Sequence, residues 1–283
     1  MIRPNFPRSV GFFLENQLLL YFAIMTLKIL SAIAALLSVG CPADSQLRAT
    51  ATQGFDQPLK KQVKFLGTSP YYPNGSYKKE LRCYFYATLL VKQYDVGQKG
   101  ADWLSFVRLE PGRPKRCGLS HDREEHVIEP VEWDGYFMGV KDSLVFLTAA
   151  DGTDGGMPFV IYDSNSLKKT FEDSAYDSQI WTTKPKDSPF NRLRVYKAAN
   201  GQIVLKYLRV VGTDCDLHLE GPSCWGQTRS NLQIRQTNLP VCSGYEEISS
   251  RYSSAVAYPV ETILFPKPRT NTIDGPIRCW PVD

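Results

Sequence analysis

The sequence predicts a mainly β protein: a single antiparallel β domain, built as an irregular sandwich or a partial propeller-like meander, and disulfide-bonded. Three observations carry this. Nineteen prolines, twenty glycines and fifteen tyrosines in 283 residues tilt the chain towards turns and strands. From Trp133 to Asp173, β-branched and aromatic runs alternate with glycine- and aspartate-rich turns, which is the pattern of an antiparallel meander. Behind an apolar leader stands an even set of six cysteines: Cys83, Cys117, Cys215, Cys224, Cys242 and Cys279. The hydrophobic share of 43% and charged share of 22% are those of an ordinary globular chain, which excludes wholesale disorder.

The expected organisation is a signal peptide or N-terminal membrane anchor over 1–43, a linker over 44–61, and a β-rich extracytoplasmic domain over 62–283. Leu18 to Gly40 is apolar except for Lys28. Read from Met1, with Arg3 and Arg8 in front, it is long enough to span a bilayer with its N-terminus inside. Read from Met25, Thr26 and Lys28 form a short n-region and Ile29 to Val39 an h-region, with small residues near Gly40 for cleavage. The signal peptide is the preferred reading. Leu37 to Cys41 resembles a lipobox: Gly40 fits, whereas Ser38 replaces the expected aliphatic residue. Cys41 is thus a lipid-anchor candidate, weighed equally against a leader cysteine without a role.

The strands follow in order. Val63 to Leu66 makes a short one, and Thr68 to Tyr77 is a loop whose turn chemistry comes from Pro73, Asn74 and Gly75. Leu81 to Tyr94 reads as a long strand with a helical alternative, and Trp103 to Leu109 returns. Glu110 to Pro130 is a long polar loop, of the kind that is either functional or tied down. The meander places strands at Tyr136–Val140, Leu144–Ala149, Met157–Tyr162 and Leu167–Phe171. Leu193–Lys197 and Ile203–Val211 flank Asn200-Gly201, a strong hairpin signal. Leu232 to Gln236 is a further short strand, Cys242 to Tyr252 the one helix, and Ala255 to Phe265 the last strand. Four prolines make Pro266 to Asp283 extended coil, pinned by Cys279.

No cysteine pair has C-x-x-C spacing, which argues against a zinc ribbon or a redox site and for disulfides. Pairing sequence neighbours gives Cys83–Cys117, Cys215–Cys224 and Cys242–Cys279, one of many connectivities the count allows. The leader holds three basic residues and one acidic, so the rest carries +2 of the net +4. With no basic run longer than Arg113 to Arg116, nucleic acid is not an expected partner.

Candidate chemistry gathers at HDREEH, His121 to His126. His121, His126 and Glu125 are metal-ligand types, but the spacing matches neither H-E-x-x-H nor H-x-x-E-H. Asp151 and Asp154 in DGTDGG could face calcium but lack the late bidentate Glu, and glycines at a turn need no ligand. Ser166-x-x-Lys169 and Ser76-x-x-Lys79 match a penicillin-enzyme pattern whose companion motifs are missing. Glu129, Glu132 and Asp134 beside Trp133 and Tyr136 have the composition of a glycan cleft.

From Cys83 to Asp173 the order of features resembles a group of exported bacterial proteins of unknown function. The residues carrying the resemblance are RCYFYATLLVKQYDVG, the Cys117 loop, EWDGYFMGVKDSLVFLTAADGTDGG and KKTFEDS. The resemblance implies an extracytoplasmic domain and no particular activity. The expected protein is therefore periplasmic or secreted, without a cofactor, and non-catalytic. Its expected partner is an unknown protein or a glycan, and attachment to a membrane would run through the N-terminus. The competing class is an extracytoplasmic hydrolase, metal-dependent or not, using the His121–His126 loop.

Overall fold

The computed structural model describes residues 53–110, 112, 115–176, 193–246 and 253–282. The leader and Cys41 lie outside the described residues, and so do the signal-peptide, anchor and lipid readings. The chain is mainly β, as expected, and takes the sandwich arrangement.

Five strands form the first sheet, an antiparallel meander in chain order: β1 (Lys60–Thr68), β2 (Lys78–Phe85), β3 (Leu89–Asp95), β4 (Trp103–Arg108) and β5 (His126–Ile128). Leu81 to Tyr94 is thus two strands rather than one. The Tyr86 amide bonds to the Leu89 carbonyl at 2.7 Å and reverses the chain. The polar loop from Glu110 also yields β5, with Val127 opposite Ser105. The stretch expected as a linker already belongs to the body from Gln53. The Gly54 amide bonds to Val195 O at 2.7 Å and the Asp56 amide to Val140 O at 2.8 Å. Phe55 packs edge-on against Phe146, with ring centroids 5.1 Å apart.

The second sheet has nine strands. β6 (Gly135–Lys141), β7 (Leu144–Ala149), β8 (Gly156–Asp163) and β9 (Lys168–Tyr176) are the meander expected from the sequence. β10 (Arg194–Lys197) and β11 (Ile203–Gly212) form the Asn-Gly hairpin. β12 (Ser253–Ile263) pairs with β11 over nine register positions, Val204 with Ile263 through Gly212 with Ala255. The tail is not coil: β13 (Arg269–Thr272) and β14 (Arg278–Val282) both pair with the far edge of β12. They leave a gap at Tyr258 and Pro259. Pro259 turns its carbonyl outward there, accepting from Ile273 N at 3.0 Å, so its missing N–H interrupts no ladder.

Helix is confined to α1 (Leu217–Glu220) and α2 (Pro222–Asn231) among the described residues, neither of them in the segment expected. Asp216 caps α1 by accepting from the amides of His218 and Leu219. Pro222 opens α2 where its lack of an N–H is harmless. Leu232 to Gln236 follows α2 without forming a strand. Residues 242–246 are not helical, and 247–252 lie outside the described residues.

Strand alternation builds the layers. In β7, Val145 and Leu147 face the first sheet, meeting Val91, Leu104 and Phe106. Leu144 and Phe146 point the other way, into a core with Phe159, Leu205, Tyr258 and Trp225 of α2. This part of the second sheet is buried on both faces, which explains its nearly unbroken apolar runs. All six cysteines pair, as neighbours in sequence: Cys83–Cys117, Cys215–Cys224 and Cys242–Cys279, with Cα separations of 5.8, 5.8 and 4.6 Å. Three disulfides fit an oxidising, extracytoplasmic environment. No helix among the described residues is long and apolar enough to cross a membrane.

Candidate functional sites

The outer face of the first sheet carries the polar cluster that the sequence singles out. β3 presents Lys92 and β4 presents Ser105, both buried, on the side turned away from the second sheet. The loop before β5 folds over them, tied by Cys83–Cys117 and by Lys64, whose ammonium donates to the Cys117 carbonyl. That brings in Glu125. Its Oε2 accepts from Lys92 Nζ at 2.8 Å and from the Asp122 amide at 3.0 Å. Its Oε1 accepts from the Ser105 hydroxyl and lies 3.1 Å from His121 Nδ1. Lys92 also donates to Ser120 O at 3.0 Å, and the His121 ring stands edge-on to Trp103 at 4.4 Å. Burial opposes the charge on Glu125, but the hydrogen bonds from Lys92, Ser105, the Asp122 amide and His121 outweigh it and hold the carboxyl below its ordinary range.

This geometry limits the chemistry. A carboxylate held ionised in this way is poorly suited to act as a general acid. Ser105 donates to Glu125 rather than to an imidazole, so no activated serine is formed. Of the four side chains joined here, Lys92, Ser105, Glu125 and His121, that of His121 reaches solvent, 33% exposed.

The structure does not bring the three metal-ligand candidates together. His121 and Glu125 meet, but His126 begins β5 and points to the opposite face, between Phe106 at 5.0 Å and Tyr162 at 5.7 Å. Alternation explains this: Val127 faces outward beside Ser105, so its neighbour must face inward. His126 Nε2 is buried and has no hydrogen-bond partner in the described structure. Among the described residues, no group of three or more His, Cys, Asp or Glu is placed to hold a metal ion.

The other motifs resolve into local structure. Asp151 pairs with Lys99, which lowers its carboxyl pKa, and Asp154 offers its carbonyl to Trp280 Nε1 at 3.0 Å. Ser166 Oγ donates to Asp163 at 2.9 Å within a turn, while Lys169 pairs with Glu172 at 2.8 Å. Ser76 Oγ donates to Asn74 Oδ1 at 2.7 Å. Glu132 accepts from the Tyr162 hydroxyl at 2.7 Å, and Trp133 Nε1 donates to Thr148 O at 3.3 Å, so these residues brace the sheet edge.

A surface that the sequence does not single out lies at the β1 edge of the first sheet, where β1 pairs only with β2 among the described residues. β2 reaches the core between the sheets only through Tyr84, whose ring lies 4.7 Å from Phe137, and β1 does not reach it at all. β1 therefore overhangs, with Val63 48% and Phe65 64% exposed on the face that would otherwise meet the second sheet. Lys61 lies 5.1 Å from the Tyr84 ring and Lys78 lies 5.8 Å from the Phe65 ring. Lys61, Val63, Arg82 and Tyr84 line a cavity of about 240 Å³. The signal available in the sequence is the alternation of Gln62, Val63, Lys64 and Phe65, polar and apolar in turn.

Comparison with protein-family models, curated proteins and solved structures finds no match to this chain.

Proposed function

We propose that this chain is an exported, non-catalytic binding protein, periplasmic or secreted, that engages a protein partner through the overhanging β1–β2 edge. A leader of the type seen at 18–40, as signal peptide or as anchor, accounts for delivery to a compartment in which six cysteines stay oxidised. The observation that carries the reading is the pair Val63 and Phe65, exposed on a nine-residue edge strand among Lys60, Lys61 and Lys64. An edge strand offers unpaired backbone groups to an incoming strand. Covering the exposed parts of Val63 and Phe65 would contribute about 1–2 kcal/mol each. The three lysines disfavour antiparallel pairing with a second copy and favour an acidic segment.

Site-specific photocrosslinking in the exporting cell tests this. A crosslinker at position 63 or 65 is expected to yield a defined protein adduct, absent when it is placed at the exposed turn residue Asn165. Identical adducts at all three positions, or none at 63 and 65, would refute the reading.

A second reading, hydrolysis, draws on His121, which is oriented by buried Glu125 and reaches solvent. An activity found on a broad substrate panel and lost in His121→Ala would favour it over binding alone.

A further inference from the structure

Three turns of the second sheet meet at one end and border an open cavity of about 370 Å³. They are the β6–β7 turn at Asp142, the β10–β11 turn at Asn200 and the connection after β12 at Phe265. From this cavity we infer a binding site for a neutral sugar, distinct from the β1 edge and independent of it.

The volume falls in the range of small-ligand pockets. Leu144 and Ile203 lie beneath it, 1% and 2% exposed, as part of the core. Phe265 stands on the rim, 39% exposed, and presents a flat apolar face. Facing it are groups that both donate and accept. Asn200 Nδ2 donates to Gln202 Oε1 at 2.7 Å, and Asn200 Oδ1 accepts from the Gln202 amide at 3.1 Å. Gln202 Nε2 reaches Phe265 O at 3.5 Å. These contacts fix both amides in place, and each still has a free N–H and an unused lone pair. Asp142 holds Lys197 through Oδ2 at 2.8 Å, and its Oδ1 has no partner among the described residues.

A flat apolar face opposite fixed amide and carboxylate groups matches a pyranose, which has C–H bonds on one face and hydroxyls around its edge. The Asp142–Lys197 pair leaves the rim with no excess charge, so a phosphate or sulfate would meet a carboxylate rather than a free cation. A purely apolar ligand would bury the amides without partners. The rim also holds its shape without a ligand. Gly201 takes φ 81° and Asp142 φ 53°, conformations suited to tight hairpin turns.

The test is a glycan array probed with the exported chain, followed by calorimetric titration of the best neutral glycan. Phe265→Ala and Gln202→Ala are each expected to weaken binding by about tenfold or more, with an unchanged thermal midpoint. Phe65→Ser on β1 is expected to bind like the wild type, which separates this site from the edge-strand reading. If Phe265→Ala lowers the midpoint, Gln202→Ala decides alone. Failure to bind any neutral glycan would overturn the inference. So would wild-type affinity in Gln202→Ala, or loss of binding only in the β1 variant.

Discussion

Arg209 donates from Nε to Asp173 Oδ1 at 2.8 Å, beside the one position where β9 and β11 are in register, Arg209 with Ala175. The other carboxylate oxygen accepts from the buried Tyr207 hydroxyl at 2.6 Å, which in turn lies 3.3 Å from Thr262 Oγ1. Side chains therefore join the two halves of the second sheet where the backbone ladder is thinnest. Burial first, then the neighbouring Asp173 carboxylate, drives the Tyr207 phenol well above its ordinary pKa, so it stays a donor.

Replacing Asp173 should therefore cost more than replacing Arg209. Asp173→Ala leaves the buried Tyr207 hydroxyl only its 3.3 Å contact with Thr262 and removes the carboxylate from the Arg209 guanidinium, and about 2–3 kcal/mol of stability should be lost. The Arg209 side chain is 37% exposed, and Arg209→Ala should lose about 1 kcal/mol. Urea unfolding of the two variants checks the order. Equal losses would mean that Tyr207 does not depend on Asp173.

The Glu125 network makes a prediction about acid. Its folded pKa is depressed, so its contribution is fully present above the unfolded value of about 4.3. That contribution is lost as pH falls through the folded value. Wild-type stability should thus drop below about pH 4. Glu125→Gln should be about 2 kcal/mol less stable at neutral pH, because buried Lys92 loses its counter-charge. It should also show a shallower acid limb. Denaturant unfolding at neutral and acid pH checks both, and parallel acid limbs would sink the assignment.

Gly139 predicts a mechanical effect. A Cβ at this position would lie 2.4 Å from the Phe55 ring, which packs on Phe146. Gly139→Ala should displace the segment before β1 and cost about 1–3 kcal/mol. Limited proteolysis should then cut between Gln53 and Lys60 faster than in the wild type. Unchanged cleavage would show that the segment yields without strain.

Legibility in the sequence followed locality. The meander and the Asn200-Gly201 hairpin announce themselves because strand pattern and turn chemistry lie within a few residues of each other. The reversal at Tyr86 was hidden because its turn contains no glycine, proline or asparagine. α2 was hidden for a different reason. Its buried residues, Cys224, Trp225 and Thr228, form no long apolar stripe, and its neighbours are turn formers. The tail looked like coil because of its prolines, yet Pro281 fits β14, which meets β12 on one side only. Within the cluster, Glu125 and His121 were visible as residue types, whereas Lys92 and Ser105 are distant in sequence and were not. The exposure of Val63 and Phe65 is a consequence of how far the second sheet reaches, which no window of residues records.

The long β11–β12 pair also bears on how this fold can vary. On one edge β11 receives β10 along its first half and β9 near its end, and on the other β12 receives β14 and then β13. In each case two short strands share one long edge, and between β13 and β14 the chain leaves that edge and rejoins it. Insertions or deletions between Thr272 and Arg278 would leave every strand pair in register. This segment is where related chains could differ in length, and where a peptide tag could be spliced in without unseating the rest.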